Sequence, residues 1–257
     1  MGQPTPNPGI EVEVLHEDPS FVVLAKPAGR VTEPGLGHAD DSLMNGAFAR
    51  WGSLLGPMGE ARDYGLVHRL DRDSSGALLV ALGPAAYDAL RAQFEARSVR
   101  KRYLAVVEGR PAKGEGTIDL PLEEVRRGDM KVSLVSRRGA GRPALTRWRT
   151  LSGGKQRTLL DVEIETGRLH QIRAHMAELG CPVVNDRVYR VDLPPNTAKP
   201  PRGRAALPLA LHAATLAFRH PTSGATIEVT CPAPAAFAEL TAASGLTLPR
   251  AYQPTTR

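Results

Sequence analysis

GLVHRLDRDSSG, residues 65–76, places Asp71 between Arg69 and Arg72 with His68 beside them, and it runs into the apolar stretch GALLVALG. An apolar run that short, closed by a glycine, reads as a buried strand. The charged cluster therefore sits on the connection feeding a core strand. A carboxylate among cations there is either a solvated ion cluster or a group held charged for chemistry. Composition favours the first reading, and the flanks favour the second.

Working outward, EVEVLHEDPSFVVLAKPAG reads as two short strands around a turn at Asp18-Pro19, stopped at Lys26-Pro27-Ala28-Gly29. DDSLMNGAFARW reads as a helix capped by an aspartate or by Ser42. PAAYDALRAQFEARS spaces Ala86, Leu90 and Phe94 four apart behind Pro84, a residue that a helix start tolerates. KRYLAVVEG, DMKVSLVS, ALTRWRTL and RTLLDVEIE read as strands, the last two joined through Ser152-Gly153-Gly154-Lys155. RLHQIRAHMAELG reads as a helix with Leu169, Ile172, Met176 and Leu179 on its core face and Gly180 as its stop. RVDLPPNTAKPPRGRAALP is a proline-rich, basic surface loop. LALHAATLAFRHPTSGATIEVTCP returns to two strands, and APAAFAELTAAS closes with a helix.

Strands that arrive in hairpins predict an α+β fold, with a mixed, largely antiparallel central sheet and flanking helices. Residues 1–10, with prolines at 4, 6 and 8, are expected to be a disordered lead-in, and residues 11–257 a single domain.

The 257 residues, 42% of them hydrophobic, can bury a sizeable core. No stretch approaches the roughly 18 apolar residues of a membrane span, and the N-terminus lacks a secretory pattern. The expectation is a soluble cytoplasmic protein. Cys181 and Cys231 have no CxxC or metal-ligand spacing, so they read as ordinary reduced thiols. The net charge of +6 suits a polyanion, but only six of the 33 basic residues are lysine in a chain rich in alanine, glycine and proline. Biased composition accounts for much of that arginine.

GAGRPA, residues 139–144, has the glycine spacing of a dinucleotide fingerprint. Its continuation LTRWRT is strand-like where the fingerprint needs a helix, which rejects the match. His170 and His175, five apart, would point about 140 degrees from each other on a helix and cannot easily share a metal. No GxSxG elbow or phosphate loop appears. What remains is arginines near carboxylates, with Arg168 ahead of a helix start. On the residues alone, Arg168 is a solvated helix-end charge and Tyr103 a core aromatic.

Five segments in order then carry a resemblance. HRLDRDSSGALLVA resembles the H-R-L-D-x-x-T-S-G-L-L-x-A signature of the RluA family of RNA pseudouridine synthases. KPAGRVTEP is similar to that family's Lys-Pro-x-Gly segment and KRYLAVVEG to its Lys-x-Tyr strand. ETGRLHQIRAHMAELGCPVVND resembles its Gly-Arg-x-His-Gln-Ile-Arg-x-His block, and LALHAATLAFRHP its Leu-His-Ala strand. Ser74 stands where the family has threonine, Asn185-Asp186 replaces Gly-Asp, and Arg190 replaces a glycine.

The resemblance implies the pseudouridine synthase fold and the isomerisation of uridines in RNA. No redox change occurs and no group is added, so no cofactor and no metal are expected. By resemblance Asp71 is the essential carboxylate, acting as a nucleophile on the sugar or taking its 2′-proton through a glycal route. Arg168 is the cation that keeps that carboxylate charged against desolvation. Tyr103 packs on the uracil and is a candidate to help remove the proton from carbon 5. Arg69 is the planar wedge that fills the stack when the nucleotide is extruded.

His68, Arg173 and His175 are expected near RNA, with helix packing the alternative for the last two. The implied partner is ribosomal or transfer RNA, with no DNA and no membrane, and the protein is taken as a monomer. With only about twenty residues ahead of the Lys-Pro segment, the form expected by resemblance is one without the S4 RNA-binding module that many relatives carry. Two rivals remain, a non-catalytic RNA-binding or RNA-folding protein on the same scaffold and a hydrolase acting on free nucleosides.

Overall fold

The structure is a computed structural model that describes residues 2–128, 130–137, 141–189 and 207–254. In chain order the elements are β1 (Glu13–Asp18), β2 (Phe21–Lys26), α1 (Leu43–Leu55), β3 (Ser75–Ala81), α2 (Pro84–Glu95) and β4 (Arg100–Glu108). They continue with β5 (Glu115–Asp119), β6 (Leu122–Arg127), β7 (Met130–Val135), β8 (Leu145–Gly153), β9 (Arg157–Ile164) and α3 (Gln171–Glu178). β10 (Leu211–Arg219), β11 (Thr226–Thr230) and α4 (Ala235–Ala243) complete the set. These residues group into two compact units, Met1–Lys101 with Ala213–Pro232, and Arg102–His212 with Ala233–Arg257.

In the first unit the strands follow the order β1-β2-β3-β10, and β11 pairs with β10. The β1–β2, β2–β3 and β10–β11 pairs are antiparallel. Every residue of β3 is buried, as its unbroken apolar run requires. Gly76, at φ 125°, lies where β3 meets β10, and a Cβ there would stand 2.3 Å from the Ala213 carbonyl oxygen. Only glycine permits that approach. Ser42, one of the two expected caps, starts α1 by accepting from Asn45 N while Asn45 Oδ1 accepts from Ser42 N at 3.0 Å, a reciprocal capping box. α2 opens on Pro84 and buries Ala86, Tyr87 and Leu90.

The expected disordered lead-in is not loose. Asn7 N donates to Asn45 O at 2.9 Å, Asn45 Nδ2 donates to Thr5 O at 2.8 Å, and Ile10 is buried over Gly46. The reason is that α1 presents a buried amide, Asn45, whose donors need partners, and the proline-rich segment supplies a carbonyl.

In the second unit the order is β4-β9-β8-β5, with β6–β7 as a separate two-stranded hairpin. The β5–β8, β8–β9 and β6–β7 pairs are antiparallel. The architecture is thus the mixed α+β class with largely antiparallel pairing. β5 and β6 have no counterpart in the sequence reading. LEEVRR carries four charges in six residues and faces mostly solvent, so no apolar alternation marks it as a strand.

α3 starts later than its pattern suggests, because His170 adopts a left-handed conformation at φ 50° as the residue before it. Ile172 and Met176 are buried as expected, whereas Leu169 and Leu179 are half-buried. The polar Gln171, Arg173 and His175 are buried alongside them. After residue 141 the rejected fingerprint leads into β8, a strand. The proline-rich loop, from Arg190 to residue 206, lies outside the described residues.

Among the described residues no helix is long and apolar enough to cross a membrane. None of their His, Cys, Asp and Glu side chains form a group of three or more that could hold a metal ion. Both cysteines are buried outside any disulfide, and burial pushes the Cys231 thiol up to about 12.

Candidate active site

Asp71 lies in the first unit, half-buried on the connection from residue 66 to β3. The entry to that connection is tight. Asp63, Tyr64 and Gly65 are all left-handed, and a Cβ on Gly65 would meet the Ala81 carbonyl oxygen at 2.4 Å. Two buried side chains then fix the backbone on either side of Asp71. Thr32, 4% exposed, donates from Oγ1 to Leu70 O at 2.9 Å and accepts from Leu70 N at 3.3 Å.

Lys26, 1% exposed, donates from Nζ to the carbonyls of Pro27 at 2.9 Å, Arg30 at 2.6 Å and Arg72 at 2.9 Å. Gly29 N also donates to Arg72 O. Burial pushes Lys26 down to about 7, opposed by the charges of Asp71 and Asp73. Three carbonyl acceptors use all three protons of an ammonium, so the geometry requires the charged form. The loop that presents Asp71 therefore rests on a buried cation.

In the sequence Lys26 stands in a strand stop and in a matched segment, with no role of its own. Its signal was a lysine directly after an apolar strand, which reads equally well as a solvated stop.

The remaining charges of this loop divide by direction. Arg69 is exposed and pairs with Glu33 at 2.8 Å, and Arg72 pairs with Asp73 at 3.2 Å. The His68 ring instead faces inward, where Nε2 accepts from Leu79 N at 2.9 Å and the ring stacks on Phe94 at 4.8 Å. Desolvation, helped by the charge of Lys101, drives His68 down to about 3, so it stays neutral. It had been expected near RNA, and its ring is occupied by β3 and α2.

Tyr103 and Arg168 belong to the second unit. Tyr103 is 9% exposed on β4. Arg168, half-buried on the turn between β9 and α3, donates from Nε to Pro143 O at 3.1 Å and from its backbone N to Gln171 Oε1 at 3.1 Å. Gln171 holds that turn. Its Oε1 also accepts from Thr166 Oγ1 at 2.7 Å, while Nε2 donates to Leu145 O and Thr146 Oγ1, each at 3.0 Å. All four hydrogen-bonding positions of the amide are used. The sequence reading quoted Gln171 within a matched block without assigning it work.

Arg173 and His175, expected among RNA contacts, are interior residues. Arg173 grips Asp186 through Nε–Oδ2 at 2.7 Å and Nη2–Oδ1 at 3.1 Å, and its guanidinium lies 5.3 Å from the centre of the Tyr189 ring. His175 donates from Nε2 to Leu120 O at 3.0 Å, which leaves Nδ1 to accept from Thr146 Oγ1 at 2.8 Å. Desolvation lowers its pKa and keeps the ring neutral. These inward contacts have a physical cause: segments distant in the chain supply partners that no helix pattern shows.

His170 is also committed. Its Nδ1 is hydrogen-bonded to the Tyr189 hydroxyl at 3.2 Å, whose oxygen accepts from Ser133 N at 2.9 Å.

Chemically, the first unit presents a half-buried carboxylate on a backbone locked by Thr32 and Lys26, beside an exposed guanidinium. The second holds an arginine on a turn fixed by a saturated glutamine.

Comparison with known proteins adds the following. Residues 20–178 match the family model described as RNA pseudouridylate synthase. The chain is 40% identical over 234 residues to the ribosomal large subunit pseudouridine synthase D of Xanthomonas campestris pv. campestris, covering 88% of this chain and 67% of that protein. It is 44% identical over 214 residues to an uncharacterized RNA pseudouridine synthase of Chloroflexus aurantiacus, covering 82% and 62% respectively. Among solved structures, human RNA pseudouridylate synthase domain containing 4 shares the fold at TM-score 0.71 and 23% identity, over 93% of this chain and 95% of that one. Human RNA pseudouridylate synthase domain containing 1 matches at TM-score 0.67 and 26% identity, over 87% and 84%.

Proposed function

The chain belongs to the RluA family of RNA pseudouridine synthases, and on that premise we propose that it isomerises uridines in RNA with Asp71 as the catalytic carboxylate. The observation that carries the residue assignment is the locking of the backbone on both sides of Asp71 by Thr32 and Lys26. A nucleophile must arrive in a fixed geometry, and these bonds supply it.

The reaction is internally balanced. The bond between N1 and C1′ breaks, the uracil turns, a bond between C5 and C1′ forms, the C5 proton leaves and N1 gains one. Asp71 either attacks C1′ or takes the 2′-proton. Arg168 is proposed as the cation paired with that carboxylate. Tyr103 is proposed against the uracil, where it helps remove the C5 proton.

Extruding a stacked nucleotide costs a few kcal/mol, which contacts with the protein must offset. Arg69, planar and exposed, is suited to occupy the vacated stack and to reach phosphate. Ribosomal RNA is the proposed substrate, supported by the relatives named for the ribosomal large subunit. Arg173, His175 and His68 are proposed as supports, on the strength of their inward contacts.

The test uses total RNA from cells lacking the protein, labelled with tritium at uridine C5. Turnover releases tritium to water and leaves pseudouridine at a mappable position in ribosomal RNA. Release of free uracil instead would indicate a hydrolase, and RNA binding without tritium release would indicate a non-catalytic binder.

A further inference from the structure

The Arg69–Glu33 pair is asymmetric in a way that bears on how RNA is bound. The Arg69 side chain is 69% exposed and that of Glu33 only 18%. Glu33 is the fixed partner. Its neighbour Thr32 is tied twice to Leu70, Met44 N donates to Thr32 O at 3.1 Å, and Leu43 N donates to Val31 O at 3.0 Å. Just beyond it Gly35 and His38 close a turn with a bond in each direction, and Arg30 Nη1 donates to Asp41 O at 2.7 Å. The contact between Thr32 and Leu70 thus sets Glu33 opposite Arg69 by register, with the carboxylate on a braced loop and the guanidinium free to swing.

We propose that Glu33 is a built-in counter-ion that occupies the Arg69 guanidinium until RNA offers it both a phosphate and a vacated base stack. This rests on the reading of Arg69 as the residue that replaces the extruded nucleotide.

The physical argument is a competition. An exposed ion pair is weak, so an RNA that supplies phosphate and stacking together displaces Glu33 readily. An RNA offering phosphate alone exchanges one exposed ion pair for another and gains little. It also meets the carboxylate that Arg69 has left, which repels phosphate. Glu33 therefore lowers affinity by one common factor for every RNA that must free Arg69 to bind.

The experiment compares wild type, Glu33→Gln, Arg69→Gln and the double variant. One measurement is binding to single-stranded poly(A) across a salt series. The other is the half-saturating concentration for tritium release from the C5-labelled total RNA. In Glu33→Gln, poly(A) binding is expected to tighten about two- to fivefold. Its salt dependence should steepen by about 0.7 in log–log slope, the equivalent of one further phosphate contact on a single strand. The half-saturating concentration for turnover should fall by at least as large a factor, and in the Arg69→Gln background the Glu33 substitution should have no effect on poly(A).

Unchanged poly(A) binding in Glu33→Gln would overturn the proposal. So would equal tightening with and without Arg69, because Glu33 would then be acting on RNA directly. If either occurs while wild type releases tritium, only the counter-ion role fails. If wild type releases none and the poly(A) results still follow the expected pattern, the catalytic reading fails and the counter-ion role stands.

Discussion

Arg69 and Arg173 each meet a carboxylate, at 2.8 Å to Glu33 and 2.7 Å to Asp186, yet the first guanidinium is 69% exposed and the second 5%. Around Arg69 the backbone is locked and the charges project outward. Around Arg173 the charges themselves are the lock. Asp186, 0% exposed, also accepts from Val188 N at 2.8 Å and Tyr189 N at 3.1 Å, so the buried pair organises the turn after α3. Arginine and carboxylate thus serve opposite purposes in the two places. Exposure leaves a pair exchangeable for solvent and ions, whereas burial makes it part of the scaffold.

The largest expected effect breaks the first side of this comparison. Asp71→Asn keeps the shape and removes the charge, and tritium release should fall at least about a thousandfold while RNA binding and the unfolding midpoint in urea stay near wild type. Retained turnover would remove Asp71 from the chemistry.

Next comes the second side. Arg173→Met leaves Asp186 buried without its cation and should lower stability by about 3–5 kcal/mol, read from urea unfolding. A change below about 1 kcal/mol would mean that the pair is no scaffold element.

A smaller effect concerns protons. His68, at about 3, and His175, also lowered, lie below the usual 6.5 because their buried rings resist charging. Below pH 6.5 the unfolded chain therefore binds protons that the fold excludes. The contribution of His68 to stability is whole above pH 6.5 and is lost as the pH falls toward 3, by about 1.4 kcal/mol per pH unit, and that of His175 is lost in the same direction. Glutamine at 175 can keep both hydrogen bonds without titrating. The difference in stability between pH 7 and pH 5 should therefore shrink in His175→Gln, and an unchanged difference would show that this ring is not held neutral.

The smallest effect sharpens the contrast. Arg69→Gln should change stability by less than about 0.5 kcal/mol in the same urea experiment while raising the half-saturating RNA concentration for turnover. A large loss of stability would put Arg69 in the same class as Arg173.

Local chemistry was legible wherever neighbours in the chain decide it. The Ser42 cap, the Pro84 helix start, the hairpin around Pro19 and the apolar run of β3 all stand where residue types and spacing place them. β6 was not legible, because an exposed hairpin strand has no buried face to print a pattern. The proposed site was legible as an ordered set of motifs, which point to Asp71, Arg168 and Tyr103 by resemblance, but not as a division of labour within them. Arg173 and His175 look like the polar face of an amphipathic helix, and only Asp186, Thr146 and Leu120 turn that face inward.

The sequence by itself determined the class of fold, the order of its segments and the aspartate on which the proposed chemistry turns, because periodicity, caps and motif spacing act over a few residues. Only the tertiary structure decided which charges are working surface and which are scaffold. That choice depends on bonds such as Lys26 to Arg72, 46 residues apart, and Thr32 to Leu70, 38 apart. Whether a charged group is desolvated is set by what the fold packs against it, and a linear pattern does not contain that.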